Sequence, residues 1–244
     1  MALKALAGGR LFGSVLGDGS PRVLALHGWG RSNRDFAAVL DGLDAISLDL
    51  PGFGATPPPD TAVGAHGYAE LVAPVMAHFD RPPVVLGHSF GGRVAVALEA
   101  DAPGTFSGML LTGVPLLRRD SSPASPPIGY RIVRLANRIG LVSDERLERE
   151  KRSRGSADYR AASGVIRDVL VTVVNESYER ELESLDLPVH LLWGAEDGEV
   201  PVEIAERALE IIGARGRLET VSDGGHLLPV THADRVRSAL EALL

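Results

Sequence analysis

The chain has 244 residues, is 45% hydrophobic and carries a formal net charge of −7. That length and apolar content allow one large core plus an insertion, and the acidic balance argues against nucleic acid or an anionic membrane surface as a partner. Cysteine is absent, which excludes disulfides, a thiol nucleophile and zinc–thiolate sites.

The first ten residues reach the Gly8-Gly9 pair before a long apolar stretch develops, so no secretory leader is expected. No window holds the ~18 continuous apolar residues of a membrane span. A cytoplasmic protein without a membrane partner is the expectation. Leu11-Phe12 and Val15-Leu16 read as short antiparallel edge strands, followed by the turn signal Gly17-Asp18-Gly19. Val23 to Leu26 is a buried-strand run that closes on His27-Gly28-Trp29-Gly30. After a polar start at Ser32-Asn33, the three- and four-residue spacing of Phe36, Val39 and Leu40 predicts a helix. A strand at residues 45–48 runs into Asp49-Leu50-Pro51-Gly52-Phe53-Gly54, and Leu71, Val75 and Phe79 predict a helix that Pro74 should kink.

Val84-Val85-Leu86 is a third such strand, and it ends in Gly87-His88-Ser89-Phe90-Gly91-Gly92. A serine hydroxyl becomes a useful nucleophile when it is lifted off a sheet on a sharp strand-to-helix turn, where crowding forbids neighbouring side chains. Gly87, Gly91 and Gly92 remove those side chains, and Arg93 to Ala100 supplies the helix. A solvent-facing serine in a glycine-rich turn is the plain alternative for this motif alone; the partners below decide against it. In acyl transfer the carbonyl oxygen gains negative charge, and two fixed backbone N–H groups are its simplest stabiliser, one belonging to the residue after the nucleophile. Those donors are assigned to Trp29 and Phe90.

A strand at 108–112 is followed by a break in the rhythm. The stretch Asp120-Ser121-Ser122-Pro123-Ala124-Ser125-Pro126-Pro127 suits neither helix nor central strand and reads as a hinge, with mobility expected near residues 119–129. From Tyr130 to about Tyr178 the apolar spacing is helical throughout. Residues 116–182 are therefore expected to form a helical insertion over the carboxyl ends of the strands, between core segments 1–115 and 183–244. Residues 115–180 carry thirteen basic and nine acidic side chains, a net +4 over a body of net −11. Arginines there could face inward toward an anionic substrate; the interleaved Glu145/Arg149 and Glu148/Arg152 pairs favour a solvated helix face instead.

Downstream, Val189-His190-Leu191-Leu192-Trp193 closes on Gly194-Ala195-Glu196-Asp197. Asp197 stands where an acid that orients the base belongs, with Glu196, Glu199 and Asp223 as competitors. The strand-like run 217–221 leads to Gly224-Gly225-His226, making His226 the candidate general base. Val236, Leu240 and Leu243 then mark a terminal helix. Strands alternating with helices imply an α/β chain with a mostly parallel sheet covered on both faces.

The other histidines have plainer readings. His27 should brace the loop after its strand and His88 should fill a slot beside the serine; His66, His78, His190 and His232 lie in or near helices and a strand. None has a second ligand at metal spacing, so neither a catalytic metal nor a cofactor is expected.

The order Ser89, Asp197, His226, together with His27-Gly28-Trp29-Gly30, Asp49-Leu50-Pro51-Gly52-Phe53-Gly54, Gly87-His88-Ser89-Phe90-Gly91-Gly92, Gly194-Ala195-Glu196-Asp197 and Gly225-His226, resembles the α/β-hydrolase fold family, in particular small cap-bearing serine hydrolases of the carboxylesterase and lactonase kind. The motifs spread from residue 23 to residue 226. The resemblance implies a mostly parallel sheet with helices on both faces, an inserted helical cap, Ser89 as nucleophile, His226 as base and then acid, and Asp197 as orienter. It implies hydrolysis of a small ester, lactone or related acyl substrate through an acyl-enzyme. Other members make different uses of the scaffold: slow-turnover ligand reception, cofactor-free perhydrolase or lyase chemistry, and carbon–carbon bond hydrolysis. Relatives that open epoxides or remove halogens carry an aspartate where this chain has Ser89.

Overall fold

The computed structural model describes residues 3–118 and 157–244. Eight strands form one sheet: β1 (Leu3–Leu6), β2 (Leu11–Leu16), β3 (Val23–Leu26), β4 (Ala45–Asp49), β5 (Val84–His88), β6 (Gly108–Thr112), β7 (Val189–Gly194) and β8 (Gly216–Val221). Their order is β1-β2-β4-β3-β5-β6-β7-β8. β1 and β2 are antiparallel to their neighbours, and every pairing from β4 to β8 is parallel.

The near-continuous apolar runs are those of strands buried on both faces. Alternate residues still sort to opposite sides, as the period of two requires. Leu24, Leu26, Val85, Met109, Leu111 and Leu191 join one core cluster, packed under α1 (Ala65–Val72), α2 (Phe90–Asp101) and α3 (Val202–Ile212). Val23, Ala25, Leu86, Leu110 and Leu192 join the other, which α4 (Ala233–Glu241) covers through Val236 and Leu240.

Three local expectations change. Leu11-Phe12 and Val15-Leu16 belong to a single strand, and β2 is interior; the edge is β1, formed by the N-terminal residues through a hairpin in which Ala7, Gly8 and Gly9 all have positive φ. Gly8-Gly9 is therefore a turn signal as well as a break. Phe36, Val39 and Leu40 are buried as expected, but Phe36 closes a 3₁₀ turn, Asn33–Phe36, Val39 and Leu40 follow it in turn conformation, and no α-helix forms. The Asp49 carboxylate holds both the backbone and side-chain N–H groups of Asn33, and Gly42 at φ 71° turns the chain into β4 soon afterwards. The helix at α1 ends at Val72, and Pro74 falls in a 3₁₀ segment, Ala73–His78.

The Pro/Ser-rich hinge, the mobility expected at 119–129 and the helical pattern from Tyr130 to residue 156 lie outside the described residues. Within the described part of the insertion, Ala157–Ala161, Gly164–Val173 and Glu179–Ser184 are helical. Its two ends meet: the Tyr178 N–H donates to the Leu116 carbonyl at 3.0 Å, and Arg118 N–H reaches Ser177 Oγ. Glu179–Ser184 packs against α2 and α3, with Leu182 fully buried, so residue 182 lies inside an element attached to the sheet's helices.

Candidate active site

Ser89 stands between β5 and α2 at φ 49° and ψ −116°, one of two non-glycine residues with positive φ among those described. This is the strained turn that the glycine spacing implies. Its N–H donates to the Thr112 carbonyl at 3.0 Å, and its own carbonyl accepts the Gly92 and Arg93 N–H groups that open α2. The glycines matter for approach: a Cβ added to Gly91 would lie 2.1 Å from the Leu26 carbonyl oxygen, and one on Gly92 would lie 2.2 Å from Val114 Cγ2. Helix and strand end thus come closer than any side chain permits.

The loop after β3 is held from below. His27 is buried; its Nε2 accepts the Leu50 N–H at 3.0 Å, which leaves Nδ1 to donate to the Gly28 carbonyl at 2.7 Å. Burial pushes the pKa of His27 down, keeping the neutral ring that this pair of bonds needs. Asp49 accepts from Asn33 N–H, Asn33 Nδ2 and Ala55 N–H at 2.7, 2.8 and 2.9 Å, tying the loops after β3 and β4 together. Trp29 meets Phe53 and Phe90 edge-on at 5.0 and 5.3 Å between centroids, and Tyr68 meets Phe90 at 4.9 Å. Neither the Trp29 nor the Phe90 N–H has an acceptor among the described residues. Gly28 passes directly beside the serine, its absent Cβ only 3.3 Å from Ser89 Cβ.

At the far side, Asp197 Oδ2 accepts from His226 Nδ1 at 2.8 Å, while Oδ1 accepts the Glu199 and Val200 N–H groups at 2.9 and 2.8 Å. Burial pushes the Asp197 carboxyl up, and the His226 and backbone hydrogen bonds more than reverse this, leaving it below its ordinary value. Burial pushes His226 down, but the bond and charge of Asp197, with Glu199 and Asp158 adding to them, hold it above its ordinary value. With Nδ1 committed to Asp197, Nε2 is the nitrogen left for proton exchange. Gly113 at φ 58° makes room for the pair: a Cβ there would lie 2.9 Å from His226 Nδ1.

The competing acids go elsewhere. Asp223 lies 3.4 Å from His232 Nε2, and Glu196 is exposed. Glu199 approaches His226 from the opposite nitrogen, its carboxylate 3.6 Å from Nε2. His66 bridges Asp101 and Glu181 at 2.8 and 3.2 Å, and His190 is buried in β7 against Arg217. Among the described residues no group of three or more His, Cys, Asp or Glu side chains could hold a metal ion, and no helix is long and apolar enough to cross a membrane.

Ser89 and His226 line one cavity of about 230 Å³, together with Trp29, Phe90, Arg93 and Leu170. Leu170, with Val173 and Val174 beside it, comes from the helix Gly164–Val173 and its end, so this segment between β6 and β7 contributes an apolar wall. The sequence marks Glu199 as a competitor of Asp197 and not as a neighbour of Nε2, and marks neither Gly113 nor Arg93 for the site. Gly113 is the first residue after β6, a position at the sheet's carboxyl edge that could have marked it; nothing local marks Arg93.

The sequence pattern of the Alpha/beta hydrolase family matches residues 23–239. An uncharacterized hydrolase of Bacillus subtilis (strain 168) is 26% identical over 233 residues, covering 86% of this chain and 85% of that one. A pimeloyl-[acyl-carrier protein] methyl ester esterase of Neisseria meningitidis serogroup B is 26% identical over 242 residues, covering 89% and 90%. Among solved structures, an esterase from Exiguobacterium antarcticum has a TM-score of 0.71 at 19% identity, covering 95% of this chain and 94% of that one.

Proposed function

Since the chain belongs to the alpha/beta hydrolase family, we propose that it is a serine hydrolase cleaving a small carboxylic ester or lactone through an acyl-enzyme on Ser89. The observation that carries this reading is the shared cavity: Ser89 on its strained turn and His226, with Nδ1 fixed by Asp197 at 2.8 Å, open into the same space. The esterase activity named for the Neisseria relative supports ester chemistry over carbon–carbon cleavage.

In this mechanism Ser89 Oγ attacks the acyl carbonyl as His226 Nε2 takes its proton. The N–H groups of Trp29 and Phe90 receive the oxyanion. The tetrahedral intermediate collapses, the C–O bond to the alcohol breaks, and His226 returns the proton to the departing oxygen. Water then repeats the sequence on the acyl-enzyme, releasing the acid and restoring Ser89. Asp197 keeps the imidazole in the Nδ1–H tautomer and stabilises its charged form without taking the proton. Residues 116–182 act as a cap that sets substrate size, the wall from Leu170 to Val174 being its contribution to the cavity.

The test is an activity screen across acyl chain length, lactones and thioesters, with Ser89→Ala as the blank. Multiple turnover on short esters or lactones, absent in Ser89→Ala, supports the reading. Failure to hydrolyse any acyl substrate, or turnover that Ser89→Ala retains, overturns it.

A further inference from the structure

Arg93 lies one helical turn beyond Ser89 and is 7% exposed, on the wall of the cavity that holds Ser89 and His226. Its Nε–H donates to the Pro115 carbonyl at 2.9 Å, and Nη1 donates to the Val173 carbonyl, the last residue of Gly164–Val173. Its guanidinium carbon stands 5.6 Å from the centre of the Tyr178 ring. All three partners are uncharged, and among the described residues no carboxylate comes within ion-pair distance of it. Glu176 acts on it from further away, but that carboxylate already accepts from Tyr178 Oη at 2.6 Å and from the Ala65 N–H at 3.1 Å.

A guanidinium keeps its charge when buried, so its desolvation is compensated only by acceptors and counter-charges that reach it. Here two carbonyls do part of that, and the same side chain lines the cavity. The acidic groups that line the same space act on His226: Glu199 stands 3.6 Å from Nε2, and Asp158 also raises the ring's proton affinity. Among the described residues that line the cavity, the basic side chain is Arg93 and the acidic ones, Glu199 and Asp158, act on His226. The alcohol departs beside His226, which protonates it, so an anion on the leaving group would meet Glu199. An anion on the acyl group can turn toward Arg93.

We infer that Arg93 forms an anion subsite for the acyl part of the substrate, so that the preferred substrates are half-esters of short dicarboxylic acids, the free carboxylate paired with the guanidinium. This rests on the hydrolase reading above. The reaction is water plus half-ester carboxylate giving alcohol, dicarboxylate and a proton, with no other reactant.

The experiment compares monomethyl succinate and monomethyl glutarate with the matching methyl ester monoamides, which are similar in shape but neutral. The wild-type protein is expected to favour the carboxylates in kcat/KM by about 10-fold or more, as a charge-assisted pair desolvated in a cavity should. Arg93→Gln keeps a donor near the Nε position, for the Pro115 carbonyl, but not the charge, and should bring the ratio to about 1; Arg93→Lys should keep part of it. A residue that only ties the insertion to α2 would change both substrate classes alike. Equal kcat/KM for the two classes in the wild type, or a preference that survives Arg93→Gln, overturns the inference. Calorimetric binding of the same compounds to Ser89→Ala separates this from the hydrolase reading. If the wild type turns over neither class, tighter binding of the carboxylates still supports the subsite, and equal binding removes it.

Discussion

His88 Nε2 donates to the His226 carbonyl at 3.0 Å, so the residue next to the candidate nucleophile holds the backbone of the candidate base. The two rings lie 5.0 Å apart, and the His88 ring also fills the space left by the missing side chain of Gly28. Burial, and after it the charge of His226, push His88 down to about 4, so it is a neutral donor wherever the site would work. Removing that donor should let the His226 loop shift. His88→Leu is expected to lower kcat about 100-fold with little change in KM, the scale on which a misplacement near 1 Å acts. His88→Gln, which keeps an N–H donor, should recover part of it. Steady-state kinetics on a short ester checks this, and an unchanged kcat in His88→Leu would reduce His88 to packing.

The pH dependence follows from His226. It must be neutral to accept the proton of Ser89, and its pKa is held above the usual 6.5. Activity should therefore fall as pH drops through a value higher than 6.5, because protonation removes the base. Glu199, 3.6 Å from Nε2, is one cause of that elevation. Glu199→Gln should move the acid limb of kcat/KM to lower pH. A profile that does not move, or moves upward, would show that Glu199 does not govern the proton on His226.

Close approach at the elbow should be visible in stability. The Cβ of Gly91→Ala would fall 2.1 Å from a backbone carbonyl oxygen of β3, where no flexible side chain can give way. A loss of about 3 kcal/mol is expected from such overpacking. Urea unfolding monitored by circular dichroism measures it; a change under about 0.5 kcal/mol, the range of ordinary surface substitutions, would mean the strand end relaxes freely.

The parts of the fold legible in the sequence are those with one dominant physical cause. The parallel strands could be read because burial on both faces demands continuous apolar runs such as Val84 to Leu86, and the turn at Ser89 because its glycines have no substitute. Asp197 and His226 could be placed because each follows a strand at the sheet's carboxyl end, and the 2.8 Å contact between them joins positions 29 residues apart. β1 was missed because Leu3 to Leu6 is mostly exposed and depends on its hairpin partner. The roles of Arg93, Glu199 and His88 depend on which chain segments pack against them. Arg93 reaches Val173, eighty residues away, and His88 reaches His226, so no local pattern announces either.

The most direct measurement is kcat/KM of purified Ser89→Ala beside the wild type, on the best short ester or lactone. Loss of about 10⁶ in rate, with Asp197→Asn losing about 10⁴, is the expected result for a serine activated by an imidazole that a carboxylate orients. Comparable activity in Ser89→Ala would contradict the account, because the reaction would then proceed without the hydroxyl on which every step depends.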